Sequence, residues 1–179
     1  MANICSFSMK AKGKSENITA FYNAMTQNGT IYMGRGAEAE INYDDAEGSA
    51  QIDGWCKWSV QSAMIDDAIS MRTNPNIWSW GGGVDTSKLE FITLLEATEK
   101  WNLVIEAYSE ESGCCFQEHY IFDKGTVVSD ECVDWEEYWL DGYKSKEEAE
   151  EELEIIISDV EWADRYYSRG GFESWDFEI

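Results

Sequence analysis

Cys114, Cys115 and His119 lie close together, and Cys132 follows about one strand-length later. Thiolate and imidazole are ligands that zinc prefers, but a structural site needs four at tetrahedral reach, usually from paired C-x₂₋₄-C spacing. Adjacent cysteines on a strand point to opposite faces, so Cys114 and Cys115 are not expected to share an ion. His119 is the only histidine. A nucleophilic pair with Cys115 or Cys132 would need surroundings that stabilise a thiolate. The neighbouring acids instead raise a thiol's pKa. The expectation is thiols within a hairpin, with no catalytic residue and no metal ligand.

Asp44, Asp45, Glu47, Asp66 and Asp67 offer carboxylate pairs. Such pairs can hold Mg²⁺ or Ca²⁺, or act as acid and base. No EF-hand spacing is present, and a solvated turn and helix face account for these acids. The alternative is a metal-dependent enzyme acting on nucleic acid or a nucleotide. Gly81 to Gly83 is not followed by Lys-Ser/Thr, so it is no phosphate loop.

The strongest pattern is a charge block. Between Asp130 and Asp164 there are fifteen Asp/Glu against two Lys and no Arg, a net charge of −13. Trp135, Tyr138, Trp139, Tyr143 and Trp162 are interleaved with them. Disordered acidic tails lack aromatics, so this block reads as a folded electronegative surface that steers basic partners and repels phosphate. Ser145 and Glu148 form a capping box. The helix it opens carries an apolar stripe of Ala149, Leu153, Ile156, Ile157 and Val160. At 100° per residue, Glu147, Glu150, Glu151, Glu154 and Glu161 cluster opposite that stripe. Glu147 to Glu154 would span about 10.5 Å at ~1.5 Å per residue. Four charges over that length come close to the ~3.4 Å phosphate spacing of one DNA strand. The candidate partner-binding residues are Glu147, Glu150, Glu151 and Glu154, flanked by Glu136, Glu137 and Asp141, with Trp135, Tyr138 and Trp139 as desolvated anchors.

The chain has 179 residues, with 13 Lys+Arg against 36 Asp+Glu and a net charge of −23. It is long enough to bury a core without disulfides or metal. Direct nucleic-acid binding through a basic groove is disfavoured, as is attachment to an anionic membrane. No cofactor is indicated. Five cysteines in no scaffold spacing, no secretory signal and no membrane-length apolar run lead to the expectation of a cytoplasmic protein.

These residues must be positioned by a mixed set of elements. Asn3 to Ala11 alternates, with Cys5, Phe7, Met9 and Ala11 on one face, and reads as a strand. Ser15 is a candidate N-cap for a helix with Ile18, Phe21, Tyr22 and Met25 on one side. Strands are expected over Thr30 to Met33, Ala39 to Tyr43 and Ala50 to Trp58, with a turn over Asp44 to Gly48. A helix is expected over Gln61 to Met71, then a loop with Trp78 and Trp80. Ser87 and Glu90 would cap a helix bearing Phe91, Leu94, Leu95 and Thr98. Leu103 to Tyr108, Cys115 to Asp123 and Thr126 to Val133 read as strands, with Lys124-Gly125 turning between the last two. Phe172, Trp175 and Phe177 form an aromatic tail of no readable structure. The element order over residues 3 to 109 is that of a split β-α-β, ferredoxin-like α+β fold with an extended antiparallel sheet and an added C-terminal acidic helix. Residues 1–133 form the expected core, and 134–179 an acidic, aromatic-rich helical extension packed on it.

Met1-Ala2-Asn3-Ile4-Cys5-Ser6, Trp58-Ser59 at a strand end, and the run Tyr108 to Phe116 followed by a hairpin with Gly125 resemble the YubB-type ferredoxin-like proteins of plasmids and phages. The resemblance covers roughly the first three quarters of the chain. Val60-Gln61 stands where that family usually has two prolines, and Gln117 where it usually has Gly. The resemblance implies the fold and a mobile-element origin, and assigns no catalytic residue. With the charge block, it leads to the expectation of an anti-defence protein, an anti-CRISPR inhibitor. Such a protein would cover the basic nucleic-acid-binding surface of a host effector, as a monomer or a homodimer. A third expectation is an accessory self-associating structural domain, its exposed aromatics forming a homodimer.

Overall fold

A computed structural model describes residues 4–27, 29–34, 38–44, 48–73, 90–111, 114–172 and 174–179. They build an α+β fold around a seven-stranded sheet in which every neighbouring pair is antiparallel. The strands are β1 (Ile4–Lys12), β2 (Glu38–Asp44), β3 (Ser49–Lys57), β4 (Val104–Glu111), β5 (Phe116–Asp123), β6 (Thr126–Trp139) and β7 (Tyr166–Gly170). Their order is β2-β3-β1-β4-β5-β6-β7. β3 lies between β1 and β2, and β1 lies between β3 and β4.

The alternation in β1 decides which face is buried. Cys5, Phe7, Met9 and Ala11 are at most 2% exposed and join Ala50, Ile52 and Cys56 of β3, Ile105 and Ala107 of β4, and Tyr120 and Phe122 of β5. Helix α1 (Ser15–Thr26) covers this face with Ile18, Phe21, Ala24 and Met25. Its N-cap is Lys14 rather than Ser15. A π-helical stretch, Ser62–Asp67, leads into α2 (Ala68–Thr73), and α3 (Leu94–Lys100) follows. Gly54 lets β2 close on β3, because a Cβ there would stand 2.2 Å from the Glu38 carbonyl oxygen.

Some expectations fail locally. Thr30 to Met33 is no strand. Ile31 and Met33 are buried, but this segment is tied at separate points, by Ile92 N–H to Thr30 O at 2.9 Å, Ile31 N–H to Ala24 O at 3.1 Å and Lys57 N–H to Met33 O at 2.7 Å. Gly29 and Gly34 flank it with φ of 61° and 99°, turning the chain away before a ladder can form. Helix α3 starts after Thr93, not at Ser87. Thr93 and Glu96 make the capping box, with Thr93 N–H to Glu96 Oε2 at 2.7 Å and Glu96 N–H to Thr93 Oγ1 at 3.1 Å. Ser87, Trp78, Trp80, Gly81 to Gly83 and residues 45–47 lie outside the described residues.

The largest departure is C-terminal. β6 runs through Val133 to Trp139, and its partner changes on the way. Phe116 of β5 is opposite Asp134, whereas Gly170 of β7 is opposite Trp135. The expected long acidic helix is two short ones, α4 (Lys146–Leu153) and α5 (Asp159–Asp164). Glu154 ends α4 in the left-handed region at φ 55°. Ser158 then opens α5 with its own capping box to Glu161. The expected stripe is therefore split. Ala149 and Ile157 are buried with Leu140 and Tyr167, while Ile156 is 88% and Val160 70% exposed.

Candidate interaction surface

The acid-rich unit is built on the overhang of β6. Alternation along the strand sends Trp135 inward, at 9% exposure, and leaves Glu136 exposed. Tyr138 packs half-buried against the small core of Leu140, Ala149, Ile157 and Tyr167. Of the three expected aromatic anchors, Trp139 is the most exposed, at 70%, with its ring 4.9 Å from that of Tyr166. Tyr138 instead packs on the core of the unit, and Trp135 is buried beside Gly170 and Gly171.

The acids divide in the same way. Glu137 accepts the Tyr166 hydroxyl at 2.8 Å, which raises that phenol's pKa. Glu150 accepts the Ile157 amide at 2.9 Å, and Glu161 is held in its capping box. Glu136, Asp141, Glu147, Glu151 and Glu154 are exposed. Glu147 and Glu151 stand one turn apart on the same side of α4. Glu147 lies in the first helical turn, where hydrogen bonds from its own backbone and the Ser145 side chain hold its carboxyl below the usual range. Glu154 leaves the helix axis where the chain turns left-handed. Lys146 is committed to Asp159 at 2.9 Å. Arg165 lies over the Trp162 ring at 3.9 Å. The result is a set of exposed carboxylates on a packed unit, and not a straight row of four.

The thiols and the histidine do not converge. Cys114 and Cys115 lie in the turn before β5, with Cys115 at φ 57°. Cys132 is opposite Glu118 in register, so it faces the other side of the sheet from His119. Asp67 accepts Lys57 Nζ at 3.2 Å. Among the described residues, no group of three or more His, Cys, Asp or Glu is placed to hold a metal ion. No helix among them is long and apolar enough to cross a membrane.

At Val60-Gln61, the departure from the resembled pattern has a structural use. The Gln61 amide approaches Glu118 Oε2 at 3.4 Å, and its side-chain oxygen accepts the Tyr120 hydroxyl. A proline at position 61 would supply neither. Ser109 also donates to Glu118 at 2.8 Å, so this buried carboxylate pins the helix entrance to β4 and β5.

Sequence reasoning missed a second polar site, on the sheet face opposite the helices. Glu106 of β4 is fully buried there, and His119 Nε2 lies 2.8 Å from its Oε1. The His119 ring stacks on Tyr108 with centroids 4.2 Å apart. The aromatic tail lies over them. Glu106 and His119 lie 13 residues apart on neighbouring strands, so nothing short-range in the sequence marks this site.

No protein-family model, curated protein or solved structure matches the chain.

Proposed function

We propose that this protein is an interaction protein that covers the basic, nucleic-acid-binding surface of a partner. Its exposed carboxylates would stand where phosphates otherwise bind. In the fuller form of this reading it is a mobile-element anti-defence protein acting in the host cytoplasm, with a CRISPR effector as one candidate partner. The strand order β2-β3-β1-β4, with helices joining β1 to β2 and β3 to β4, supports a ferredoxin-like core.

One observation carries the proposal. Glu136, Asp141, Glu147, Glu151 and Glu154 are exposed on a unit with its own apolar core of Leu140, Ala149, Ile157 and Tyr167. A carboxylate surface held rigid loses little entropy when a basic partner docks. Surfaces tuned for solubility alone mix the two signs.

The test is a capture from host lysate at low and high salt, followed by an assay of the captured protein's nucleic-acid binding. The expected result is that the chain competes with nucleic acid, less so as salt rises, and that Glu147→Lys/Glu151→Lys removes competition while circular dichroism stays unchanged. Undiminished nucleic-acid binding by the captured protein at saturating chain would overturn the mimicry.

A further inference from the structure

Residues 171–172 and 174–179 run across β4 and β5 on the face opposite the helices. Among the described residues, five hydrogen bonds join this tail to the sheet, each through a main-chain atom of the tail, the first from Gly171 N–H to the Asp134 carbonyl at 3.0 Å. Phe172 N–H reaches Gln117 Oε1 at 2.7 Å, and the Tyr108 hydroxyl donates to the Asp176 carbonyl at 3.2 Å. Glu178 N–H and Ile179 N–H both reach Glu106 Oε2, at 2.7 and 3.0 Å. The remaining contacts are rings. Tyr108 stacks against Trp175 at 5.7 Å and takes the edges of Phe172 and Phe177, each at 5.6 Å.

Glu106 is the informative residue. A carboxylate with no solvent exposure is stable only if its oxygens are paired. This one is paired with His119 and with the amides of Glu178 and Ile179. The surface thus offers fixed acceptors and a donor for the main chain of an extended segment, and a ring platform for the aromatics at 172, 175 and 177. Main-chain recognition does not depend on which chain supplies the segment.

The tail fits this surface by backbone and rings, and misfits it by charge. Asp176 and Glu178 add two carboxylates beside Glu106 and Glu131. The Tyr108 phenol registers the crowding, pushed up by burial and then by Glu106, Glu178, Asp176 and Glu131. A segment with the same rings and with cations in place of Asp176 and Glu178 would give up the Ser174–Asp176 side-chain bond within the tail, keep the main-chain and ring contacts with the sheet, and lose the repulsion.

We propose that this groove is a peptide-binding site for an extended segment of a partner protein that carries aromatics at the spacing of Phe172, Trp175 and Phe177 and Lys or Arg at the places of Asp176 and Glu178, and that the chain's own tail is a displaceable stand-in. The entry bend is built for a strap. Gly170 and Gly171 have φ of 76° and 74°, and a Cβ on Gly171 would stand 2.6 Å from Gln117 Oε1. The inference shares with the proposed function only the sign of the partner's charge, and none of the α4 carboxylates.

The test uses the full chain and two synthetic peptides. One has the tail sequence 172–179. The other carries Asp176→Lys and Glu178→Lys. The readout is hydrogen exchange of the tail amides at Phe172, Glu178 and Ile179. The expected result is that the basic peptide binds roughly threefold or more tighter than the acidic one, the scale of relieving like-charge repulsion at two exposed positions, and that its binding speeds exchange of the chain's own tail amides. In Glu106→Gln, the preference between the two peptides should shrink. If that variant does not fold, the comparison of peptides on the wild-type chain decides alone. Three outcomes overturn the proposal: tail amides that exchange no faster with either peptide at saturation, equal affinity for the two peptides, or a mass that doubles with concentration through tails exchanged between copies. Loss of the α4 competition described above would leave this result untouched.

Discussion

Glu150 reaches past the end of its own helix to Ile157, whose amide it holds at 2.9 Å. Between them, Glu154 adopts φ 55° and the helix stops. The carboxylate replaces the helical bond that the turn removes and directs Ile157, 1% exposed, into the core with Leu140, Ala149 and Tyr167. An acid that looks like surface charge by its spacing is thus a piece of the frame, and the interaction surface must be probed through its neighbours.

Glu150→Ala should therefore destabilise the protein by about 1.5–3 kcal/mol, the net worth of a partly buried hydrogen bond to a charged acceptor. Glu151→Ala, at an exposed site with no such partner described, should stay within about 0.5 kcal/mol of wild type. Urea unfolding curves of the two variants measure the difference. Equal effects would mean that the Glu150–Ile157 contact is not made in solution.

Leu140 is fully buried at the end of β6, where its amide is held by the Arg165 carbonyl at 2.9 Å. Leu140→Ala should cost roughly 2–5 kcal/mol. The acid-rich unit shares β6 with the main sheet, since Thr126–Asp134 pairs with β5 and Trp135–Trp139 with β7. Unfolding of the variant should therefore remain a single transition at lower midpoint. Two separate transitions in calorimetry would show that the strand does not couple the units.

How far the fold can be read from the residues depends on how local each signal is. In β1, the alternation of Cys5, Phe7, Met9 and Ala11 with polar neighbours identifies strand and buried face at once, because only one face meets the helices. In the acidic segment, two local signals compete. Ala149, Leu153, Ile156, Ile157 and Val160 fit one continuous helix, but Ser158 and Glu161 form a second capping box, and the structure follows the cap. The tail is harder still. Its aromatics have no period, and its partners Gln117, Tyr108 and Glu106 lie 55 to 73 residues away, so only the folded sheet brings them together.

Tyr120 sets an alkaline limit. Burial, then the charges of Glu118, Cys132, Asp130 and Asp66, raises its phenol above the ordinary 10.0. The folded chain thus holds this proton more tightly than the unfolded chain does. Its contribution is complete below pH 10 and declines as pH rises from there towards the folded value. Tyr120→Phe should flatten that decline at the expense of the hydroxyl's bond to Gln61. Stability measured across the alkaline range in both proteins checks the sign, and an unchanged slope in the variant would assign the loss to other groups.

The cysteines report on the two sides of the sheet. Cys5 and Cys56 are opposite each other in register and at most 2% exposed. A hydrogen bond from Cys5, then burial, pushes the Cys56 thiol far above its usual range. Cys114, Cys115 and Cys132 are exposed, though burial of its sulfur and then Glu118 and Asp134 raise the Cys132 thiol. Only the thiolate alkylates. Brief iodoacetamide treatment of the native protein, read by mass spectrometry, should therefore modify Cys114 and Cys115 first and Cys132 more slowly, while Cys5 and Cys56 react only in denaturant. Early labelling of Cys56 would mean that the face covered by α1 opens in the native state, and Cys5, its register partner, should then label at the same rate.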